Sequence, residues 1–239
     1  MYRGIKDFIS EFKEVFDKNA KSLKEAKSRL KDRGEKATLD AVKEEQQIVL
    51  AEWKKAQDRG IKLHKQIQNK KCKKDKNIIV EGWKKSKKLD SIDISINKLK
   101  NNTTYIEKEI VSDKYKLIGY ADEVRVKNNY ITIEDIKTCS KIYRTSGIKT
   151  RTGYIVPPVY YYSPIDKLQS CNFNDAALQM SLYMYLLWIH NKKLKPGKMY
   201  IRHIKTNSFD KITEEELIEV PYLRDEVKLI LKYRLQNVI

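Results

Sequence analysis

The feature that most restricts the fold is a pair of alternating segments, residues 116–126 and 130–138, separated only by Lys127-Asn128-Asn129. So short a connection allows only antiparallel pairing, and asparagine tolerates the left-handed backbone of tight hairpin turns. A third alternating segment, residues 104–111, lies just before them. The pattern therefore predicts three strands, the last two forming a β-hairpin.

Helical patterns precede these strands. From residue 7 to about residue 71, apolar residues recur at spacings of three and four, with almost no glycine or proline. Gly34 predicts a break in this region, and the Thr38-Leu39-Asp40 sequence predicts the start of a second, longer helix.

The C-terminal half returns to mixed patterns. Residues 139–175 carry glycine, proline and tyrosine and predict a long loop with short strands. Residues 174–191 predict a helix capped by Asn174 or Asp175, with a core stripe of Leu178, Leu182 and Leu186. Residues 200–204 predict a strand, and a last helix is expected from about Pro221.

This order of elements predicts an α/β fold, with a mixed central β-sheet flanked by helices. We expect two parts, a helical N-terminal extension over residues 1–50 and a main domain over residues 51–239.

Three charged residues of the hairpin are expected to converge. Asp135 and Lys137 lie two apart on one strand and so share a face, and the partner strand can bring Asp122 beside them. Carboxylate oxygens are the ligands that Mg²⁺ and Mn²⁺ prefer, and an ammonium group can orient water or stabilise developing charge. This combination suits phosphodiester hydrolysis, whereas a solvent-exposed cross-strand ion pair is the alternative for the trio taken alone.

The trio belongs to a longer series of motifs. The sequence resembles the PD-(D/E)XK nuclease superfamily, and within it the RecB-type and lambda-exonuclease-like branch. Four segments match in the expected order: a GxxxH helix motif at Gly60 to His64, an acidic strand followed by GxxD at Gly119 to Asp122, DxK at Asp135 to Lys137, and QxxxY at Gln179 to Tyr183.

The resemblance implies a restriction-endonuclease-like core and a role for each motif. His64, Asp122, Asp135 and the backbone carbonyl of Ile136 would bind one or two Mg²⁺ or Mn²⁺ ions. Lys137 would be the catalytic lysine. Gln179 and Tyr183 would orient that lysine or contact the DNA backbone.

Two choices stay open in the sequence. Glu107 and Glu109 share a strand face, so either can supply the acidic strand's carboxylate, and we favour Glu107. Glu134 directly precedes Asp135, but it should point to the opposite face, so we assign the motif to Asp135.

The net charge of +18 favours a polyanionic partner, and DNA is the expected one. The loop after the hairpin is a candidate DNA-binding segment because basic groups can follow phosphates while aromatic rings stack on unpaired bases. Its basic residues are Lys141, Arg144, Lys149 and Arg151. In the lambda-exonuclease-like branch an arginine contacts a terminal 5′ phosphate, and Arg144 or Arg151 is the candidate here.

The cysteines limit other chemistries. Cys72, Cys139 and Cys171 are scattered, so neither a disulfide framework nor a zinc knuckle is indicated, and the family's iron–sulfur cluster, which needs four cysteines, is not expected. We expect a cytoplasmic protein of a cell or phage-infected host that does not engage a membrane.

The function expected from the sequence is a DNA exonuclease acting on linear ends or single strands in recombination, repair or phage DNA metabolism. A structure-selective or nicking endonuclease on the same core is the alternative within this class. The alternatives outside the nuclease class are a catalytically silent DNA-binding protein and an RNA-processing factor. A recombination or replication protein is a candidate partner, and a homo-oligomer is compatible with the family.

Overall fold

A computed structural model describes residues 2–14, 16–72, 78–81, 94–149, 155–207 and 211–237, with only the backbone of 94–95 and 148–149. The chain forms two compact units. The helical unit is Val15–Ile67, and the sheet unit comprises Met1–Glu14 and Gln68–Ile239. The expected boundary between residues 50 and 51 falls inside a continuous helix.

The helical unit contains α2 (Lys18–Asp32) and most of α3 (Leu39–Cys72), whose last five residues belong to the sheet unit. Gly34 has a left-handed backbone, with φ of 71°, between the two helices. The Thr38 hydroxyl accepts a hydrogen bond from the amide of Ala41 and so caps α3. The predicted break and the predicted second helix are both confirmed.

The sheet unit contains a seven-stranded mixed sheet and helices that flank it. The strands of this sheet are β1 (Arg3–Gly4), β2 (Ile78–Val80), β3 (Thr103–Ser112), β4 (Leu117–Lys127), β5 (Tyr130–Lys137), β8 (Lys195–Thr206) and β9 (Ile212–Val220). The remaining elements are α1 (Ile5–Ser10), a 3₁₀ helix (Ile94–Asn97), the short hairpin strands β6 (Ile148–Lys149) and β7 (Ile155–Val156), α4 (Asn172–His190) and α5 (Arg224–Asn237).

The strand order is β2-β3-β4-β5-β8-β9, and β1 also pairs with β4. The β3–β4, β4–β5 and β8–β9 pairs are antiparallel, whereas the β2–β3 and β5–β8 pairs are parallel. The α/β class and the mixed, helix-flanked sheet are therefore confirmed. No helix in the described ranges is both long enough and apolar enough to cross a bilayer.

The predicted hairpin is β4–β5. Lys127 pairs with Tyr130, so the turn consists of Asn128 and Asn129 alone. Both have positive φ, 52° and 65°, as a type I′ turn requires.

Helix α4 is the centre of the core. Leu178, Leu182 and Leu186 are all fully buried, as predicted. The predicted cap was wrong, because α4 begins at Asn172 with Cys171 as its N-cap. The Asp175 carboxylate instead binds Lys13 and the Tyr161 hydroxyl, which accounts for its place just inside the helix.

Three strands of the central sheet were not predicted, the short β1 and β2 and the longer β9. Strand β9 has only two buried residues, Ile218 and Val220, and its middle is a run of exposed glutamates. These glutamates pair with cations of β8, for example Glu214 with Lys205 at 2.8 Å. Its hydrophobic alternation is therefore too weak to mark a strand in the sequence.

The turn between β4 and β5 gives a stability prediction. Replacing Asn129 with alanine should lower the free energy of unfolding by about 1 kcal/mol, because alanine resists a left-handed backbone, whereas Asn129→Gly should be neutral or stabilising. Urea unfolding of both variants measures this. Equal effects of alanine and glycine would contradict the left-handed turn.

Candidate metal centre

Three carboxylates from adjacent strands lie in one row across the sheet. Glu107 of β3 lies opposite Asp122 of β4, between the ladder pairs Ile106–Glu123 and Lys108–Ala121. On the other side, Asp122 and Asp135 of β5 occupy the next position beyond the pair Glu123–Glu134. Neither position is a ladder pair: the β3–β4 ladder skips it and resumes, whereas the β4–β5 ladder ends just before it. We call Glu107, Asp122 and Asp135 the carboxylate row.

The backbone of Glu107 is left-handed, with φ of 52°. This conformation is unfavourable for a residue with a Cβ and changes which residues face the core. Tyr105 and Ile110 both belong to the core although five positions separate them, and a regular strand would place them on opposite faces. Strained positions of this kind concentrate at functional sites.

The Asp122 carboxylate replaces a missing contact between strands. Its Oδ2 accepts a hydrogen bond of 2.7 Å from the backbone amide of Ile136. An oxygen of Asp122 and an oxygen of Glu107 lie within 4.8 Å of each other. Glu109, the alternative in the sequence, instead accepts a hydrogen bond from the Tyr120 hydroxyl at 2.8 Å. Glu107 is therefore the acid of β3 that adjoins Asp122.

Asp135 and Lys137 form a close ion pair. Asp135 is only 3% exposed, and its Oδ2 lies 2.7 Å from the Lys137 ammonium without the angle of a hydrogen bond. Burial is the largest influence on the pKa of Asp135 and raises it, and the charge of Asp122 adds to that effect. Burial acts to lower the pKa of Lys137, but the attraction of Asp135 outweighs it and leaves that pKa raised.

Lys6 is an exposed cation on α1, and its charge is a minor influence that opposes the rise in the pKa of Asp135. No motif indicates Lys6 in the sequence, because it is 129 positions from Asp135 and only the fold brings α1 to the centre.

Gln179 and Tyr183 are buried on α4. The Gln179 amide donates a hydrogen bond of 2.9 Å to the Tyr183 hydroxyl. Burial raises the pKa of Tyr183, and the charges of Asp135 and Asp122 raise it further. A Cβ on Gly119 would lie 2.8 Å from the Tyr183 ring, so Gly119 is the residue that lets α4 approach β4.

The opposite face of the same strands carries a separate ion network. Glu134 accepts hydrogen bonds from Lys71 at 2.7 Å and from the Arg202 guanidinium at 2.9 Å. Burial acts to raise the pKa of Glu134, but these two cations outweigh it and lower the pKa. Glu134 is thus neutralised within this network, away from the Asp135–Lys137 pair.

Gln68 is a neighbour of the carboxylate row that sequence reasoning missed. Its side-chain amide donates a short hydrogen bond to a Glu107 oxygen. Gln68 lies in the final turns of α3, within the sheet unit. Its only sequence signal is a position four residues after His64, on the same helix face.

Two predicted ligands stay predictions. His64 lies on α3 within the helical unit. Ile136 is held in the centre through its amide, which donates to Asp122. Ligation by its carbonyl is expected from the resemblance alone.

Two of the four predicted DNA-binding residues line one cavity. Lys141 and Arg144 surround a space of about 240 Å³. They do so together with His203, Lys205 and Glu216. His203 is the register neighbour of Lys137, and it had been given no role from the sequence. Arg151 lies outside the described residues, and of Lys149 only the backbone, in β6, is described.

The sequence matches no model of a known protein family, and no curated protein shows significant similarity to it. The resemblance to the PD-(D/E)XK nucleases therefore rests on the four motifs.

The left-handed backbone at Glu107 predicts an unusual order of stabilities. Glu107→Gly should be more stable than Glu107→Ala by about 1 kcal/mol, because both remove the carboxylate and only glycine relieves the backbone strain. At Glu109, in the regular part of the strand, the order should reverse, with alanine favoured by roughly 0.5–1 kcal/mol. Urea unfolding of the four variants measures both differences. The same order at both positions would contradict a strained Glu107.

The contact between Gly119 and Tyr183 predicts a packing defect. Gly119→Ala should destabilise the protein by about 1–3 kcal/mol, since the new methyl group overlaps the Tyr183 ring and Ile5. Gly147→Ala is the matched control, because its nearest atoms would be 3.4 Å away. A small effect of Gly119→Ala in thermal unfolding would rule out this close approach.

Proposed function

We propose that this protein is a metal-dependent DNA nuclease of the PD-(D/E)XK type that hydrolyses phosphodiester bonds. The observation that carries the proposal is the carboxylate row with Lys137 beside Asp135, at the position where the β3–β4 ladder skips one pair and the β4–β5 ladder ends.

The carboxylate row fits a hard divalent cation. Its donors are carboxylate oxygens, the ligand type that Mg²⁺ and Mn²⁺ prefer, and the Lys137 ammonium 2.7 Å from Asp135 Oδ2 is a cation that this carboxylate already attracts. Glu107, Asp122 and Asp135 would hold the ion, with His64 and the carbonyl of Ile136 as the further predicted ligands. When bound, Mg²⁺ or Mn²⁺ supplies polarisation of the scissile phosphate and makes a water more acidic.

The protein's own groups supply the rest of the chemistry. The Lys137 ammonium, fixed by Asp135, can donate a hydrogen bond to the attacking water or to a phosphate oxygen as negative charge develops. Lys6 brings a second positive charge to the same carboxylate. Tyr183, held by Gln179 and packed on Gly119, fixes the position of β4 beside the centre.

The charge of the chain is compatible with DNA as the substrate. One cavity is lined by three cations, Lys141, Arg144 and Lys205, and also by His203. The His203 ring lies 2.7 Å from the carbonyl of Cys139, which follows β5 by two residues. Cationic side chains near the reacting phosphate neutralise its neighbours on the strand. Following the GxxxH and QxxxY resemblance, we propose an exonuclease that acts on linear DNA in recombination, repair or phage DNA metabolism.

The direct test is cleavage of end-labelled linear and closed circular DNA with Mg²⁺, Mn²⁺ or EDTA. We expect metal-dependent loss of the linear substrate only. Asp135→Asn should abolish cleavage, and Lys137→Ala should lower kcat on the order of 10²- to 10³-fold, because it removes a donor to developing charge.

Glu109→Gln is the matched control, since it removes a nearby carboxylate outside the row, and it should retain activity. Cutting of the circle would identify an endonuclease on the same core. Absence of cleavage with every metal, with DNA binding intact, would refute the enzymatic proposal.

The contact between Gln68 and Glu107 predicts a measurable role in metal binding. Gln68→Ala should weaken Mn²⁺ affinity by about 10- to 100-fold, because groups that orient a ligand contribute on this scale. Titration of free Mn²⁺ by electron paramagnetic resonance measures it without a substrate. The exposed Lys70, in the same helical turn, provides the control Lys70→Ala. Equal affinities of the two variants would exclude the role of Gln68.

A further inference from the structure

The segment from Ile136 to Ile165 combines positive charge with tyrosines. Between Asp135 and Asp166 the sequence contains no acidic residue, as is also true between Asp175 and Asp210. The same thirty residues carry five lysines or arginines and five of the chain's 15 tyrosines. The segment therefore has a positive net charge together with one third of the chain's tyrosines.

Three of the tyrosines in this segment present exposed rings. Tyr143, Tyr160 and Tyr162 are 46%, 42% and 53% exposed. Large aromatic rings are usually at least partly covered, so three exposed rings in one segment form a distinctive surface. We call these three residues the tyrosine platform.

The platform is held in place by the residue between two of its members. Tyr161 is buried, its hydroxyl donates to Asp175 on α4, and its amide donates to the Leu168 carbonyl at 2.9 Å. The amide of Tyr162 donates to the Phe12 carbonyl at 2.5 Å. In an extended chain, fixing the central residue directs both neighbours to the other side.

Hydrogen bonds tie the chain around Tyr143 to the chain before Tyr160 and to α4. The amide of Val159 donates to the Ser146 hydroxyl at 2.8 Å, which ties the chain after Tyr143 to the chain before Tyr160. The Tyr143 carbonyl accepts from the amide of Phe173 at the start of α4.

Cations accompany the rings. The Lys141 ammonium lies 5.3 Å from the centre of the Tyr143 ring, and the Arg144 guanidinium lies 4.6 Å from the centre of the Phe173 ring. Both cations also line the cavity beside His203, the register neighbour of Lys137. A strand of DNA that crossed the platform would therefore meet aromatic rings and positive charge close to the end of the catalytic strand.

We infer that the tyrosine platform binds single-stranded DNA by stacking on unpaired bases, while Lys141 and Arg144 bind its phosphates. Bases in a duplex are stacked on each other and cannot offer their faces to tyrosine rings, whereas unpaired bases can. The absence of acidic residues makes the segment complementary to a polyanion. The inference rests on the proposed nuclease and specifies its substrate as a single strand or an unpaired end.

The test is equilibrium binding of labelled oligonucleotides in EDTA, so that no cleavage occurs. Single-stranded DNA should bind more tightly than a blunt duplex. Tyr160→Ala and Tyr162→Ala should each weaken single-strand binding by about five- to a hundredfold and leave duplex binding unchanged. The corresponding phenylalanine variants should bind like the wild type, because stacking does not need the hydroxyl.

Lys141→Gln and Arg144→Gln should each weaken binding of both single-stranded and duplex DNA. Each should also lower the magnitude of the slope of log affinity against log salt concentration by about one. Tyr130→Ala, which removes an exposed tyrosine at the far end of β5, is the control and should change nothing.

Equal losses on single strands and duplex, or alanine variants that bind like the wild type, would overturn the inference, as would tighter binding of RNA than of DNA. Because these measurements need no cleavage, they separate the platform from the nuclease. If the protein does not cleave DNA but shows the expected effects of the tyrosine variants, the inference about the platform stands. If it cleaves DNA but the tyrosine variants bind like the wild type, the inference is refuted.

Discussion

The structure of the sheet unit depends on the crowding of three carboxylates in one row of adjacent strands. In a regular sheet, side chains directly opposite each other are about 4.5–5.5 Å apart, and like charges at that distance repel. Here the regular backbone pairing is lost: Glu107 has a left-handed backbone, and the Asp122 carboxylate accepts a hydrogen bond from the Ile136 amide. The β3–β4 register continues on both sides of the row, whereas the β4–β5 pairing ends there. The sheet also has register shifts in the β5–β8 and β8–β9 pairs, but at the row the irregularity coincides with three carboxylates, and strained positions of this kind concentrate at functional sites.

The acidic residues on the two faces of β4 and β5 have different cation contacts. Glu123 and Glu134 are buried next to the row in sequence, yet each is bound by cations, with Lys71 shared between them. Their charges are satisfied inside the protein. On the other face, Asp135 is close to Lys137 but keeps an acceptor without a hydrogen bond, and its pKa is raised by burial. The first arrangement neutralises its acids with several cations, whereas in the second burial disfavours the charged form of Asp135 and a further cation would favour it.

Periodicity predicted the parts of this fold that alternate cleanly. The β4–β5 hairpin, its asparagine turn and the leucine core of α4 are visible because each has one apolar face. Strand β9 was missed because charge pairs rather than burial hold most of it to β8. The cap of α4 was misplaced because Asp175 is used by Lys13 and Tyr161, contacts made across the fold that no local rule contains.

The same limit applies to the site. Spacing could bring Asp122, Asp135 and Lys137 together, because one hairpin contains all three. It could not choose between Glu107 and Glu109, since a left-handed residue reverses which side of a strand faces inward. Lys6 and Gln68 come from helices distant in sequence and have no signal of their own. A local motif thus predicts the first carboxylates of such a centre, whereas the residues that orient them need the tertiary structure.

The position of the acid-free segment follows from the electrostatics of the row. In the proposed nuclease the carboxylates of the row would repel an approaching phosphate, and screening in water weakens but does not remove that repulsion at close range. Positive charge next to the row offsets it most effectively, because the Debye length at physiological salt is only about 8 Å. The acid-free segment begins directly after Asp135, and its Lys141 and Arg144 share a cavity with Glu216 of β9. The overall charge of +18 would say little about a ligand if it were evenly spread, whereas cations close to the row could offset the repulsion that the DNA of the proposed nuclease would meet.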